Sequence, residues 1–559
     1  MTVEGGLDEP EELEPAQGSL DLAAPEDAWT AADWEREAAA VLRKGRRLGE
    51  DDADELVWSK LTKTTLDGIG ITPLGTPDDL SGLETSGRPT RQGDWDVRAY
   101  ADGRQAKLAN EEALVDLDGG VTSLWLRVDP DTDLGALLDQ VLLDLAPVVF
   151  DGADAATAGA YLKGRELHPE TNLGVPAGEA TAEIAKSAQK LEIRGFVVDA
   201  TKVHDRGASD AQELGWSMAA GATYLRTLTE AGLSVDEAAS LVEFRYAATD
   251  EQFPTIAKLR AARRLWARVL ELSVSTGSTT GAAAMRLHAV TSRPMMSKYD
   301  PWVNMLRTTV AAFAAGVGGA DSVTVLPFDS PLGRPDAFGR RIARNTSHLL
   351  IDESHVAHVA DPAGGAYAVE KLTDDLARAA WEVFGRLDDG ADLDNEIAAT
   401  VARREAEIAK RKRPITGLTE FPNLDEVLPE RTATDEWDDV RRYGASFEAL
   451  RDEPAETPVH LVTLGTVAQH TARATFATNL LAAGGIRAAA GEHDGQRVVC
   501  LVGTDAAYDE SGAETAAQLR SNGAEWVIVA GKPRDWADDS CAMGVDALDF
   551  LNRTREKLA

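Results

Sequence analysis

Between Asp199 and Asp210 the chain reads Asp-Ala-Thr-Lys-Val-His-Asp-Arg-Gly-Ala-Ser-Asp, so a cation, an imidazole and a carboxyl group fall within one short stretch. Lys202, His204, Asp205 and Arg206 together offer acid, base and anion-binding chemistry, and all four would face a substrate if the stretch capped a barrel strand. The plainer reading makes them loop charges, with Ser209 and Asp210 as helix caps. A second place for chemistry is Gly465-Thr-Val-Ala-Gln-His-Thr-Ala472. A metal or cofactor cradle there needs a ligand, a carboxylate to orient it and a glycine for close approach. His470 is the candidate ligand, but Ala468 stands two residues before it and Arg473 three after, so it reads as a surface or capping residue. His355 and His358 have the spacing of two ligands on one helix face. They abut the turn Asp361-Pro-Ala-Gly-Gly and lack a third ligand, so no metal site is expected. Gly316-Val-Gly-Gly319 follows a helix and precedes a strand, which is helix C-cap order and not that of a phosphate loop.

The elements that must carry these residues alternate. Candidate strands are Ser123–Val128, Val148–Asp151, Gly195–Asp199, Met285–Val290 and Val323–Leu326. Candidate helices are Leu134–Leu143, Ala211–Ala231, Val235–Tyr246, Phe253–Val274, Pro301–Gly316, Asp336–Leu350 and Glu370–Phe384. Strands separated by helices predict a parallel sheet, and the length of this region suits a (β/α)8 TIM-type barrel over 62–384. Residues 385–456, with the charged helix Asp394–Arg413 and the prolines 414, 422 and 429, read as a belt or linker. In residues 457–559, strands at Pro458–Leu464, Arg487–Ala490, Val498–Val502 and Trp526–Ala530 alternate with helices at Gln469–Ala483 and Glu514–Asn522. That order predicts a flavodoxin-like doubly wound sheet, with ligands at the carboxyl ends of its strands. At the other end, residues 1–28 are acidic and aperiodic and read as a disordered arm. Residues 29–61 read as a helical arm, in which Thr30 caps an amphipathic stretch, Ala31–Arg46, whose apolar stripe suggests a partner contact.

Composition narrows the function. The 559 residues carry 57 Lys and Arg against 94 Asp and Glu, a formal charge of −37. A field of that sign repels nucleic acid and anionic membrane surfaces, so neither is an expected partner. With 43% apolar residues the chain can bury a large core, and its two cysteines exclude a disulfide framework. The first positive side chain is Arg36 and no apolar run reaches membrane-spanning length, so a cytoplasmic location is expected.

Several long runs then carry a resemblance. Arg194–Arg226 (RGFVVDATKVHDRGASDAQELGWSMAAGATYLR), Lys258–Trp266 (KLRAARRLW), Met285–Ser322, Arg341–Ser354, Asp361–Thr373 (DPAGGAYAVEKLT) and Pro414–Leu424 resemble the cobalamin-dependent acyl-CoA mutases. Leu66–Thr76 (LDGIGITPLGT) and the Trp34 helix look most like the small, or β, subunits of heterodimeric methylmalonyl-CoA mutases. The resemblance runs from about residue 28 to the C-terminus. It implies an acyl-CoA barrel, a belt and a cobalamin-type domain, in an isomerase that interconverts (R)-methylmalonyl-CoA and succinyl-CoA by radical rearrangement. It also implies adenosylcobalamin and acyl-CoA bound by a catalytic large, or α, subunit, with this chain as its heterodimer partner.

Position by position, the resemblance implies loss of catalysis. Active members carry Asp-x-His-x-x-Gly, whose His is the lower cobalt ligand; aligned on Gly465, those places hold Val467, Gln469 and Ala472, and His470 is one residue out of register. The family's acyl-contacting Tyr is replaced by Thr90, its thioester-binding His by Lys202, and a substrate-holding Gln by Val290, while His288 is retained. The expectation is therefore a chain with no catalytic, cofactor-binding or metal residues, which stabilises its large subunit. The alternatives are an active mutase that binds cobalamin in an atypical way, and an acyl-CoA-binding regulator.

Overall fold

The computed structural model describes residues 28–83, 89, 91, 93–274, 285–491 and 495–559. The reading for residues 1–28 falls, apart from Ala28, outside the described residues. Two compact units separate, one of residues 28–65 and 70–75, the other of 66–69 and everything described from 76 onward.

In the first unit the helix Ala31–Lys44 starts where expected. Thr30 and Asp33 form a capping box, and the hydrogen bonds from Thr30 lower the Asp33 carboxyl to about 2. The apolar stripe is not left bare. It packs on the helix Leu56–Leu61 through Ala39, Leu42, Leu48 and Val57, and the Trp34 and Trp58 rings lie 4.5 Å apart. The arm thus covers most of its own stripe, and Trp29 and Val41 remain exposed, at 71% and 70%. The two-residue strands β1 (Lys63–Thr64) and β2 (Gly70–Ile71) pair antiparallel.

The larger unit contains a closed barrel of eight parallel strands: β3 (Asp96–Asp102), β4 (Ser123–Arg127), β5 (Val148–Asp151), β6 (Asn172–Val175), β7 (Arg194–Asp199), β8 (Val242–Ala248), β9 (Arg286–Thr291) and β10 (Ser322–Thr324). Helices including Asp210–Glu230, Gln252–Ser273, Val303–Val317 and Tyr367–Asp388 form the outer layer. Three barrel strands escaped the sequence reading, for identifiable reasons. In β3 and β8 the inward positions are polar (Arg98, Tyr100, Glu243, Arg245), so the usual apolar-inside alternation is inverted. The expected helix Val235–Tyr246 therefore ends at Ser240, and Val242–Ala248 is a strand. In β6, Gly174 at φ +72° breaks the pairing register between Asn172 and Val175. The expected helix Leu134–Leu143 is a single turn, Leu134–Leu137, because Asn110 ties up the carbonyls of Leu137 and Asp139 and Gln140 turns left-handed.

The C-terminal sheet contains β11 (Val459–Thr463), β12 (Ala488–Ala490), β13 (Val498–Val502), β14 (Trp526–Ala530) and β15 (Asp539–Cys541). All five are parallel, in the order β12-β11-β13-β14-β15. This is the flavodoxin-like doubly wound order. Its short edge strand β15 and closing helix Ala547–Leu558 were not anticipated. One face of the sheet shares its apolar core with Tyr299, which follows β9, and with Ile408, Leu418 and Phe447 of the intervening segment.

Candidate functional site

Barrel strands deliver their inward side chains in layers, and toward the amino ends of the strands these are ion pairs. Nearest the amino end of the strands, Glu170 accepts from Arg194 Nε at 2.6 Å and lies 3.3 Å from Arg286 Nε, which also pairs with Asp96 through Nη2. Burial alone would raise the Glu170 carboxyl, but Arg194, Arg286 and Arg98 outweigh it and hold the group at about 2. Above it, Arg98 Nη1 donates to Glu243 Oε1 at 2.7 Å, both side chains fully buried.

His288 occupies the next level. Arg245 Nε donates to its Nδ1 at 3.1 Å, which leaves the ring proton on Nε2 to donate to Thr324 Oγ1 at 2.8 Å. Burial, and then the charges of Arg98, Arg245 and Arg286, push its pKa well below the usual value. A neutral imidazole with both nitrogens engaged by the protein has no proton or lone pair left for a substrate. Arg245 also binds Asp199 Oδ2 at 2.8 Å and lies 3.9 Å over the Trp125 ring. Val290, the next inward position of β9, is buried and offers no polar group.

At the carboxyl mouth, Lys202 is exposed on the short helix Thr201–Asp205. Burial works against the Asp199 carboxylate, yet Arg245 and then Lys202 keep it below its ordinary range. His204, by contrast, turns inward. Its Nε2 is 2.7 Å from Ser292 Oγ, and its Nδ1 is 3.4 Å from Glu213. Asp205 lies 3.4 Å from Arg293, and burial pushes its carboxyl up to about 6. Arg206 points away and pairs with Asp394. The four groups of the Asp199–Asp210 stretch therefore do not converge on one point. Thr90 lies outside the described residues; beside it, Arg91 donates to the carbonyl of Ala320 at 2.6 Å.

Across this mouth runs a strap, residues 431–441, which sequence reasoning left inside an undifferentiated belt. Arg431 binds Asp329, and Arg334 N–H donates to the Thr432 carbonyl at 2.8 Å, both after β10. Asp435 accepts from Arg104 Nη2 at 2.6 Å and Arg127 Nη1 at 3.1 Å, after β3 and at the end of β4. Glu436 accepts from Arg293 Nη2 at 3.0 Å, after β9, and Arg441 N–H donates to the Asp205 carbonyl at 2.8 Å, after β7. The strap thus touches the carboxyl ends of five of the eight strands, the face on which barrels place their chemistry. The alternating acids and arginines around it gave no motif to recognise.

In the second sheet, Gly465 at φ +83° turns the chain out of β11 and Thr466 caps a helix that runs from Val467 to Ala483, two residues earlier than expected. Val467, Gln469, His470 and Ala472 all lie in the first two turns of that helix. The Gln469 carboxamide oxygen accepts from Thr466 N at 2.7 Å as the capping partner. Val467 is 72% exposed, Ala472 carries no donor, and the His470 Nδ1 is buried without a hydrogen-bond partner. Near the carboxyl end of β13, on the side of a doubly wound sheet that takes ligands, Arg473 donates to the Gly503 carbonyl and to Asp505, each at 2.8 Å. Its guanidinium lies 5.1 Å over the Tyr508 ring. The half-buried His470 imidazole has no carboxylate on its Nδ1 to orient it, so these residues do not fit an oriented lower cobalt ligand. Among the described residues no group of three or more His, Cys, Asp or Glu could hold a metal ion, and the stacked rings of His355 and His358 stand alone. No described helix is long and apolar enough to cross a membrane.

The runs quoted above for the resemblance prove to be framework. Lys258 binds Asp210 at 2.9 Å and Glu213 at 2.8 Å, Arg260 binds Glu370 at 2.8 Å, Arg263 binds Asp321 at 2.9 Å, and Arg264 binds Asp374 at 2.7 Å.

Comparison with known proteins gives consistent results. A family model described as methylmalonyl-CoA mutase matches residues 180–496. The chain is 41% identical, over 96% of its length and 98% of the relative, to the methylmalonyl-CoA mutase small subunit of Streptomyces virginiae. It is 34% identical, over 97% of its length and 96% of the relative, to the methylmalonyl-CoA mutase small subunit of Propionibacterium freudenreichii subsp. shermanii. To the methylmalonyl-CoA mutase of Escherichia coli it is 28% identical, over 77% of its length and 70% of the relative.

Proposed function

The chain belongs to the methylmalonyl-CoA mutase family, and from that premise we propose that it is the non-catalytic, stabilising subunit of a heterodimeric adenosylcobalamin-dependent enzyme interconverting (R)-methylmalonyl-CoA and succinyl-CoA. Its partner is a catalytic large subunit, which holds both cobalamin and acyl-CoA. The observation that carries this reading is the strap: Asp435 and Glu436 occupy the guanidinium groups at the barrel mouth, on the face where a reacting acyl group would have to meet a cofactor. Two further features support it. His288, the one retained substrate contact, is neutral with both nitrogens engaged. The places of the cobalt-binding motif hold a helix cap and two side chains without ligand atoms for cobalt.

No reaction step is derived through cobalamin on this chain, because the residues at 465–472 do not fit it. What the chain contributes is a folded surface. A duplicated barrel diverges in its interior at little cost to pairing, since the interior is stabilised by its own ion pairs while the exterior meets the partner. Expression of the large subunit alone and together with this chain tests the role. Co-expression is expected to raise the yield and half-life of mutase activity, and the isolated chain mixed with adenosylcobalamin should show no bound-corrin absorption. Full, stable activity of the large subunit by itself would refute the proposal, as would corrin bound to the isolated chain.

A further inference from the structure

The strap reads as a ligand that the chain supplies to itself. Arg104 holds Asp435 with both terminal nitrogens, at 2.8 and 2.6 Å, and Arg127 adds two longer contacts at 3.1 and 3.4 Å. Such forked contact is how arginines select carboxylates. Arg104 also holds Asp102 through Nε at 2.8 Å and Nη2 at 2.6 Å. One residue further along, Glu436 reaches deeper, onto an Arg293 that is itself buried and lies 5.9 Å from the Tyr100 ring and 5.7 Å from the Trp125 ring. The remaining polar contacts of the two strap residues are short-range: Asp438 N–H donates to the Asp435 carbonyl and Glu436 N–H to Thr434 Oγ1.

We propose that the barrel mouth is a carboxylate-binding site, built from Arg104 and Arg127 at the rim and Arg293 below, which the chain's own Asp435 and Glu436 keep filled. The external ligand it would take is a short dicarboxylate, because two guanidinium positions at different depths each hold one carboxylate. The strap excludes such acids by occupying both positions at once, an intramolecular competitor at high effective concentration. Removing the two strap carboxylates leaves three arginines facing only Asp102 and Asp205. The site is separate from the groove of about 790 Å³ lined by Leu225, Val269, Leu272, Trp381 and Phe384, which lies at the carboxyl ends of the outer helices.

The full-length chain and its Asp435→Ala/Glu436→Ala variant, titrated with sodium malonate by calorimetry at constant ionic strength, test the proposal. The variant is expected to bind malonate at least about tenfold more tightly than the unaltered chain. Adding Arg104→Ala and Arg127→Ala should remove that gain. Equal affinity in the two proteins, or binding that survives loss of both rim arginines, overturns the proposal. If the alanine pair does not fold, Asp435→Asn/Glu436→Gln keeps the volume, removes the charge and is read by the same comparison. Failure here leaves the subunit role standing, whereas corrin binding by the unaltered chain would end that role and leave this site untouched.

Discussion

Lys258 is the clearest case of a charge whose purpose is structural. It is fully buried, and Asp210 and Glu213 raise its pKa against the opposing effect of burial. Glu213 in turn accepts from Ala247 N–H at 2.8 Å and so ties the ion pair to β8. Lys258→Met leaves the buried Glu213 carboxylate without its cation, beside the half-buried Asp210, and should cost about 3–5 kcal/mol in urea denaturation. Adding Glu213→Gln should recover part of that loss. Glu170 gives a pH prediction. Its folded pKa of about 2 lies below the ordinary value of 4.5, so its stabilisation is complete above pH 4.5 and is lost as pH falls from there toward 2. In Glu170→Gln, stability at neutral pH should fall by on the order of 2 kcal/mol, and the loss on acidification between those limits should be correspondingly smaller. Thermal midpoints across pH 3–7 would check both signs, the range bracketing the loss expected from linkage.

Among the elements, β6 depends on a single glycine. Gly174 has φ +72°, and a Cβ there would lie 1.8 Å from the Phe150 carbonyl oxygen of β5. Gly174→Ala therefore combines a left-handed backbone with a backbone clash that no rotamer change relieves. The expected result is destabilisation by more than about 3 kcal/mol, with loss of soluble protein on expression. The same position explains why the strand was illegible: four residues, Asn-Leu-Gly-Val, with a glycine in the bulge carry no usable period. The legible strands, such as β5, β13 and β14, are short valine-rich runs of almost entirely apolar, mostly buried residues. β3 and β8 were missed because their inward faces are charged, which inverts the pattern on which sequence reading relies.

For the molecule as a whole, a charge of −37 has to be tolerated by whatever the chain binds. A partner of like sign would then be held by apolar and hydrogen-bonded contact more than by long-range attraction. Trp29 and Val41, with Leu56, stay exposed on a helical arm that otherwise covers its own stripe and are available for such contact. Deleting residues 1–46 should weaken association with the proposed large subunit by at least about tenfold in sedimentation, given what buried aromatic anchors contribute at interfaces. The circular dichroism of the remaining chain should lose the signal of the deleted helix and of Leu56–Leu61, whose packing partner goes with it, while the barrel signal stays. An unchanged association constant would remove the arm from the interface.

The amino-acid order by itself determined the barrel, the second sheet and the family, because apolar period, helix caps and long uninterrupted runs are local properties. It also determined that the places expected to hold cobalt and thioester carry Val467, Gln469, Ala472 and Lys202. Only the tertiary structure decided what became of the mouth. Asp435 and Arg104 lie 331 positions apart, and Glu436 and Arg293 lie 143 apart. Contacts of that separation leave no period in the chain and exist only once the strap has crossed the barrel. The same holds for His288, whose retained imidazole looked available until Arg245 and Thr324 were found on its two nitrogens.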